Sequence, residues 1–198
     1  SMSTFPDIAY LQALDSRAKM LAASIDNPNH WPKPYYSDTQ TFVPRVKIAY
    51  IGLTPTGNEY SKLLNDNETV EERIWSGAKP YHNAYLDERW GKRLADTREP
   101  GSSILQLATQ DMFRSMFGTT WEERLRESAC FNVCPVNTGG TDDPVFNRLW
   151  EDSVTWCTEL LVYLRPSLII VSGNGEHKNQ SRSPWAVLQN KFKAALQR

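Results

Sequence analysis

The chain is predicted to be an α/β protein, a three-layer α/β/α sandwich with a central, mostly parallel sheet. Two observations predict it. Helical patterns alternate with short apolar runs, VKIAYIGL (46–53), ACFNVCP (129–135) and SLIIVS (167–172), and strands that are apolar on both faces belong to a sheet covered on both sides. Each run also breaks into a loop of small and polar residues, GLTPTGNEY, NTGGTDD and SGNGEHKN, whereas the loops at the opposite ends are plain. In open parallel sheets ligands bind beyond the carboxyl ends of the strands, so that asymmetry marks one edge as the floor of a site.

The elements follow in order. Residues 4–25 place Ile8, Leu11, Leu14, Ala18, Leu21 and Ile25 at helical spacing. NPNHWPKPYY (27–36), with three prolines, reads as an irregular surface arm carrying Trp31, Tyr35 and Tyr36. Val46–Leu53 is the first strand. Residues 61–100 read as a long excursion, with a cap at Asn67–Thr69 and a short helix through Trp75. Excursions of that length often carry function. Ser102 or Ser103 caps a helix whose apolar side holds Ile104, Leu105, Ala108, Met112, Phe113, Met116 and Phe117, and Gly118 ends it.

After the strand Ala129–Pro135, Asp143 is the expected N-cap of the next helix and Pro144 its first residue. Leu149, Trp150, Val154, Cys157, Leu160, Leu161 and Leu164 form that helix's apolar face, and Pro166 stops it. Ser167–Ser172 is the third strand, and 184–197 a last helix starting at Pro184.

A length of 198 residues fits one domain. We take it as residues 2–198, an N-terminal helix and aromatic arm (2–44) and a core (45–198), with Ser1 a tag remnant ahead of Met2. The composition, 40% hydrophobic and 23% charged, is that of a globular protein, and seven Trp imply a rich core. A net charge of −1 argues neither for nor against nucleic acid. Charge is uneven, though: beyond Pro166, Lys178, Arg182, Lys191, Lys193 and Arg198 face the single acid Glu176. Such a run is a solvated helix face or a phosphate-facing surface.

Three cysteines without secretory spacing fit a reducing compartment, and no run approaches the roughly 20 apolar residues of a membrane span. With no signal peptide, a cytoplasmic location is expected. The dinucleotide fingerprint, the Lys-Ser/Thr phosphate loop and the G-x-S-x-G elbow are all absent, and His30, His82 and His177 lack zinc spacing.

Taken together, strand-GLTPTGNE, then FNVCPVN (131–137), then CTELLVYLRPSLIIVSG (157–173) resembles the uracil-DNA glycosylase superfamily over residues 46–175. The resemblance implies a glycosylase that flips a damaged or modified base out of DNA and hydrolyses its N-glycosidic bond. On it, Asn132 reads the base edge, its amide offering both donor and acceptor; a strand-end cap is the plainer role for that Asn. Gly52, Pro55, Gly57 and Tyr60 fall on the base-binding loop, with Trp90 and Tyr81 as other stacking candidates. Thr54 stands where many members carry a water-activating Asp or Asn, and Glu59 is a nearby carboxylate. The family's fourth strand and its His-Pro-Ser loop have no counterpart before Arg198: either the chain is truncated there, or the motif is lost, or His177 is its stand-in, a surface histidine being the plainer role for that residue. Gly173, Asn174, Lys178 and Arg182 would meet DNA.

One branch of the superfamily binds an iron–sulfur cluster through four Cys. Three thiols cannot supply that set, so no cofactor is expected and Cys157 is assigned to the core. The expected partner is DNA of either strandedness, with no membrane, and the protein a monomer. Two alternatives remain: a catalytically inactive module binding nucleic acid or a nucleotide on the same fold, and a flavodoxin-like domain for another small ligand.

Overall fold

The computed structural model describes residues 5–27, 30–54, 83–86, 102–138, 143–172 and 184–197. Its elements are α1 (Ile8–Ala23), β1 (Ile48–Gly52), α2 (Ser102–Phe117), α3 (Trp121–Glu127), β2 (Ala129–Asn132), α4 (Pro144–Arg148), α5 (Trp150–Leu164), β3 (Leu168–Val171) and α6 (Pro184–Leu196). The three strands form a parallel sheet in the order β2-β1-β3. That order requires two crossovers in opposite directions, and right-handed connections then put their helices on opposite faces.

The packing follows suit. Ile48, Tyr50, Cys130 and Ile170 meet Phe113 of α2 and Leu125 of α3 on one face. Ala49, Ile51, Ala129 and Phe131 meet Leu11 and Leu14 of α1 and Leu160, Leu161 and Leu164 of α5 on the other. The strands are apolar throughout because alternate side chains enter different cores. The expected three-layer α/β/α arrangement is what forms.

Several expectations on the helices hold in detail. Asp143 caps α4 through Oδ1, which accepts from the Val145 N–H at 2.9 Å, and Pro144 is the first helical residue. Gly118 closes α2 at φ +60°, a conformation open to glycine at no steric cost. The helix foreseen from Pro144 to Leu164 is instead broken at Leu149 into α4 and α5. It ends at Arg165, left-handed at φ 43°, whose N–H bonds Leu161 O at 2.8 Å.

Three readings are corrected. The segment 27–36 is no surface arm: residues 32–39 are buried, and the chain runs antiparallel along the outer edge of β2. Bridges join Pro32 to Val136 and Tyr35 to Phe131, while Lys33 N–H donates to Pro135 O and Tyr36 N–H to Cys130 O, both at 2.8 Å. Prolines are compatible with this because an edge strand needs only one side of its ladder. The buried side of α2 holds Phe113 as expected, with Met112 and Phe117 packed against the same core, but it is partly turned: Gln106 and Thr109 also face inward, whereas Ala108 and Met116 are exposed. Polar residues can sit there because Gln106 Nε2 donates to Ala84 O and Thr109 Oγ1 meets the Tyr50 hydroxyl. Helix α3 lies in a stretch (119–128) that the sequence reading left without an element.

Cys157 is wholly buried in the α1/α5 core, as assigned, and Cys130 and Cys134 are buried too. Burial raises all three thiols, that of Cys130 from 9.0 to about 12. The fold therefore holds them protonated, and this stabilisation is whole below the ordinary value and fades as pH rises from there toward about 12. Urea midpoints are expected to fall between pH 8.5 and pH 11, by less in Cys130→Ala; identical slopes with pH for the two proteins would refute a thiol origin.

Among the described residues no helix is long and apolar enough to cross a membrane.

Candidate functional site

The carboxyl ends of β1, β2 and β3 lie side by side, with Gly52 in register with Asn132. The chain continues the ladder beyond them: Val133 N–H donates to Gly52 O, Cys134 N–H to Leu53 O, and Ser172 N–H to Ile51 O, each at 2.9 Å. By strand alternation, residues 52, 132 and 172 share the α2 face with Tyr50, Cys130 and Ile170. In a 2-1-3 order the β1-to-β2 connection runs one way along the sheet and the β2-to-β3 connection runs the other way past β1, and the gap between β1 and β3 is the switch point where such sheets bind ligands.

Gly52 and Asn132 are built around each other. A Cβ at residue 52 would stand 2.2 Å from Asn132 Oδ1 and 3.3 Å from its Cγ, so the amide occupies the space that only a glycine leaves. The same point is 3.8 Å from Ser172 Oγ. Asn132 is 5% exposed, and its Nδ2 is buried without a hydrogen-bond partner among the described residues. Leaving such a group unsatisfied costs about 1–3 kcal/mol. A strand-end cap, the plainer role for this residue, would spend the amide on backbone; among the described residues its Nδ2 makes no such bond.

Below the pair, Tyr50 is buried with its hydroxyl 2.9 Å from Thr109 Oγ1 on α2. Burial raises its pKa, and the neighbouring hydroxyls of Ser172 and Thr109 pull it part of the way back. Above the pair, Thr54 is half-buried; its Oγ1 lies 3.2 Å from Val136 O, to which it donates, and 3.0 Å from Thr138 Oγ1. The Thr54 hydroxyl thus braces the loop after β2.

Gly52, Thr54 and Asn132 are accordingly gathered at one edge. The other candidates, Pro55, Gly57, Glu59, Tyr60, Gly173, Asn174, His177, Lys178 and Arg182, lie outside the described residues, as do Tyr81 and Trp90. Of the basic C-terminal run, Lys191 pairs with Glu151 at 3.2 Å on the surface of α5, which fits a solvated helix face at that position.

Sequence reasoning missed the contribution of the edge segment. Trp31 and Asn137 interlock: Asn137 N–H donates to Trp31 O at 3.0 Å, and Trp31 N–H donates to Asn137 Oδ1 at 2.6 Å. His30 Nδ1 lies 3.0 Å from Asn137 O; a carbonyl only accepts, so Nδ1 is the donor. Lys33 is buried, with its ammonium 5.7 Å from the centre of the Tyr36 ring. The density of aromatic and basic residues in NHWPKPYY was the available signal; the prolines masked it by suggesting an irregular exposed strand.

Fold and site together define an α/β/α protein in which a glycine, a buried amide and a serine hydroxyl meet at the carboxyl edge of a parallel sheet. No family model matches the chain, and no curated protein or solved structure does either.

Proposed function

We propose that this crevice holds a nucleobase and that the protein is a DNA glycosylase of the uracil-DNA glycosylase type, hydrolysing the N-glycosidic bond of a damaged or modified base. One observation carries the reading: the Asn132 amide, buried and unsatisfied over Gly52. A side-chain amide held rigidly at a strand end is a donor and acceptor fixed in one plane, which suits the edge of a flipped base. The glycine beneath it makes the room in which the amide is packed. Expected partners are DNA and the released base. Chemistry beyond binding falls to the GLTPTGNEY loop, where Glu59 is the candidate base for water and Thr54 a water-positioning group. A cytoplasmic setting and a monomeric state belong to the same reading.

The engagement of the Thr54 hydroxyl with Val136 O and Thr138 favours the second reading, a module that binds nucleic acid without cleaving it, since a braced hydroxyl is a weak base for water. Incubation with single- and double-stranded oligonucleotides carrying uracil, hypoxanthine, xanthine or 5-modified pyrimidines, followed by alkaline cleavage, separates the two. Abasic sites that Glu59→Gln eliminates establish the enzyme. DNA binding without abasic sites from any substrate establishes the module.

A further inference from the structure

Asn132 has a counterpart across Gly52 that the expected site residues do not include. Ser172, immediately after β3, sends its Oγ to within 3.8 Å of the point where a Cβ on Gly52 would stand, and the Asn132 amide approaches the same point from the β2 side. The two side chains therefore flank one bare Cα, one on each neighbouring strand. Ser172 is half-buried, so its hydroxyl lies at the boundary between crevice and core.

Its surroundings hold it there. The Ser172 N–H is fixed to Ile51 O at 2.9 Å, and the Tyr50 hydroxyl beside it is tied to Thr109 of α2. A serine hydroxyl has one donor and two acceptor sites, and among the described residues Tyr50 is the neighbour that occupies one of them. Ser172 thus retains capacity toward whatever lies over Gly52. The hydroxyl can rotate to donate or accept, whereas the packed Asn132 amide is fixed.

We infer that Ser172 is a specificity-determining residue of the crevice, contacting the ligand ring at a second polar position across Gly52 from Asn132, with Tyr50 and Thr109 as positioning residues. The ligand class this implies is a planar heterocycle with polar atoms at two positions of its rim, oxo at one and oxo or amino at the other. This rests on the nucleobase reading of the site. Asn132 would set whether a base binds at all, and Ser172 which base is preferred.

The test is titration of the full chain with free uracil, cytosine, hypoxanthine and xanthine, followed by line broadening of the base protons in NMR. Ser172→Ala is expected to change the uracil-to-cytosine affinity ratio by about 10-fold, the worth of one hydrogen bond gained or lost. Ser172→Thr, which keeps the hydroxyl and suits a strand end, is expected to retain the wild-type ratio. Tyr50→Phe should shift the ratio in the same direction as Ser172→Ala, by less. A ratio unchanged in Ser172→Ala while the wild type binds would overturn the role of Ser172 and leave the nucleobase reading standing. A wild-type chain that binds none of the four bases would overturn both.

Discussion

Asn132→Leu is expected to remove base binding and base release while leaving the protein as stable as the wild type, or more so. The side chain is 5% exposed and its Nδ2 has no partner. Leucine has the same heavy-atom branching, a larger volume and no polar atom, so the substitution deletes an unsatisfied buried group whose cost is about 1–3 kcal/mol, which offsets the overpacking its methyl groups bring. A residue kept for the fold destabilises when it is removed, whereas one kept for a ligand is expensive in its absence. Loss of a positioned hydrogen-bonding group in a site commonly costs about 100-fold or more in rate. The informative measurement is the pair: a urea midpoint at or above wild type, and release or affinity reduced by that factor. A midpoint lowered by more than about 2 kcal/mol would show that the amide holds the fold, and the functional reading of the crevice would lose its main support.

How the sequence anticipated this site, and where it did not, follows from the reach of the forces involved. Both-face-apolar strands and breaker-rich strand ends are local patterns, so the layer order, the strands and the polar carboxyl edge were legible. Asp143-Pro144 and Gly118 were legible for the same reason, since capping is settled within a few residues. The burial of Pro32–Thr39 was not, because it depends on pairing with β2 about 100 residues away in sequence. The inward turn of Gln106 and Thr109 was hidden likewise. Periodicity assigns polar residues to water unless a distant backbone carbonyl or hydroxyl, here Ala84 O and Tyr50, is waiting for them. Asn132 could be named from its motif, but the motif says nothing of the glycine it rests on or of Ser172 opposite. Those neighbours come from three strands and meet only in the sheet.

The dependence of Asn132 on Gly52 makes the second large prediction. Gly52→Ala would place a methyl group 2.2 Å from Asn132 Oδ1, well inside contact distance, and the amide is too enclosed to give way freely. Overpacking of this kind costs about 1–3 kcal/mol, offset in part by the smaller entropy loss of an alanine in a strand. Whether the amide is pushed out or the strands part, the crevice geometry is lost, so binding and release should fall as far as in Asn132→Leu. The double variant Gly52→Ala/Asn132→Ala removes the opposing atoms and keeps the entropic gain. Its stability is expected to return to wild type or above, a coupling between the two sites of at least about 1 kcal/mol. Its function should not return. Additive effects on stability in this cycle would mean that the two residues do not meet, and with them would go the glycine-floored, amide-walled crevice on which the nucleobase reading stands.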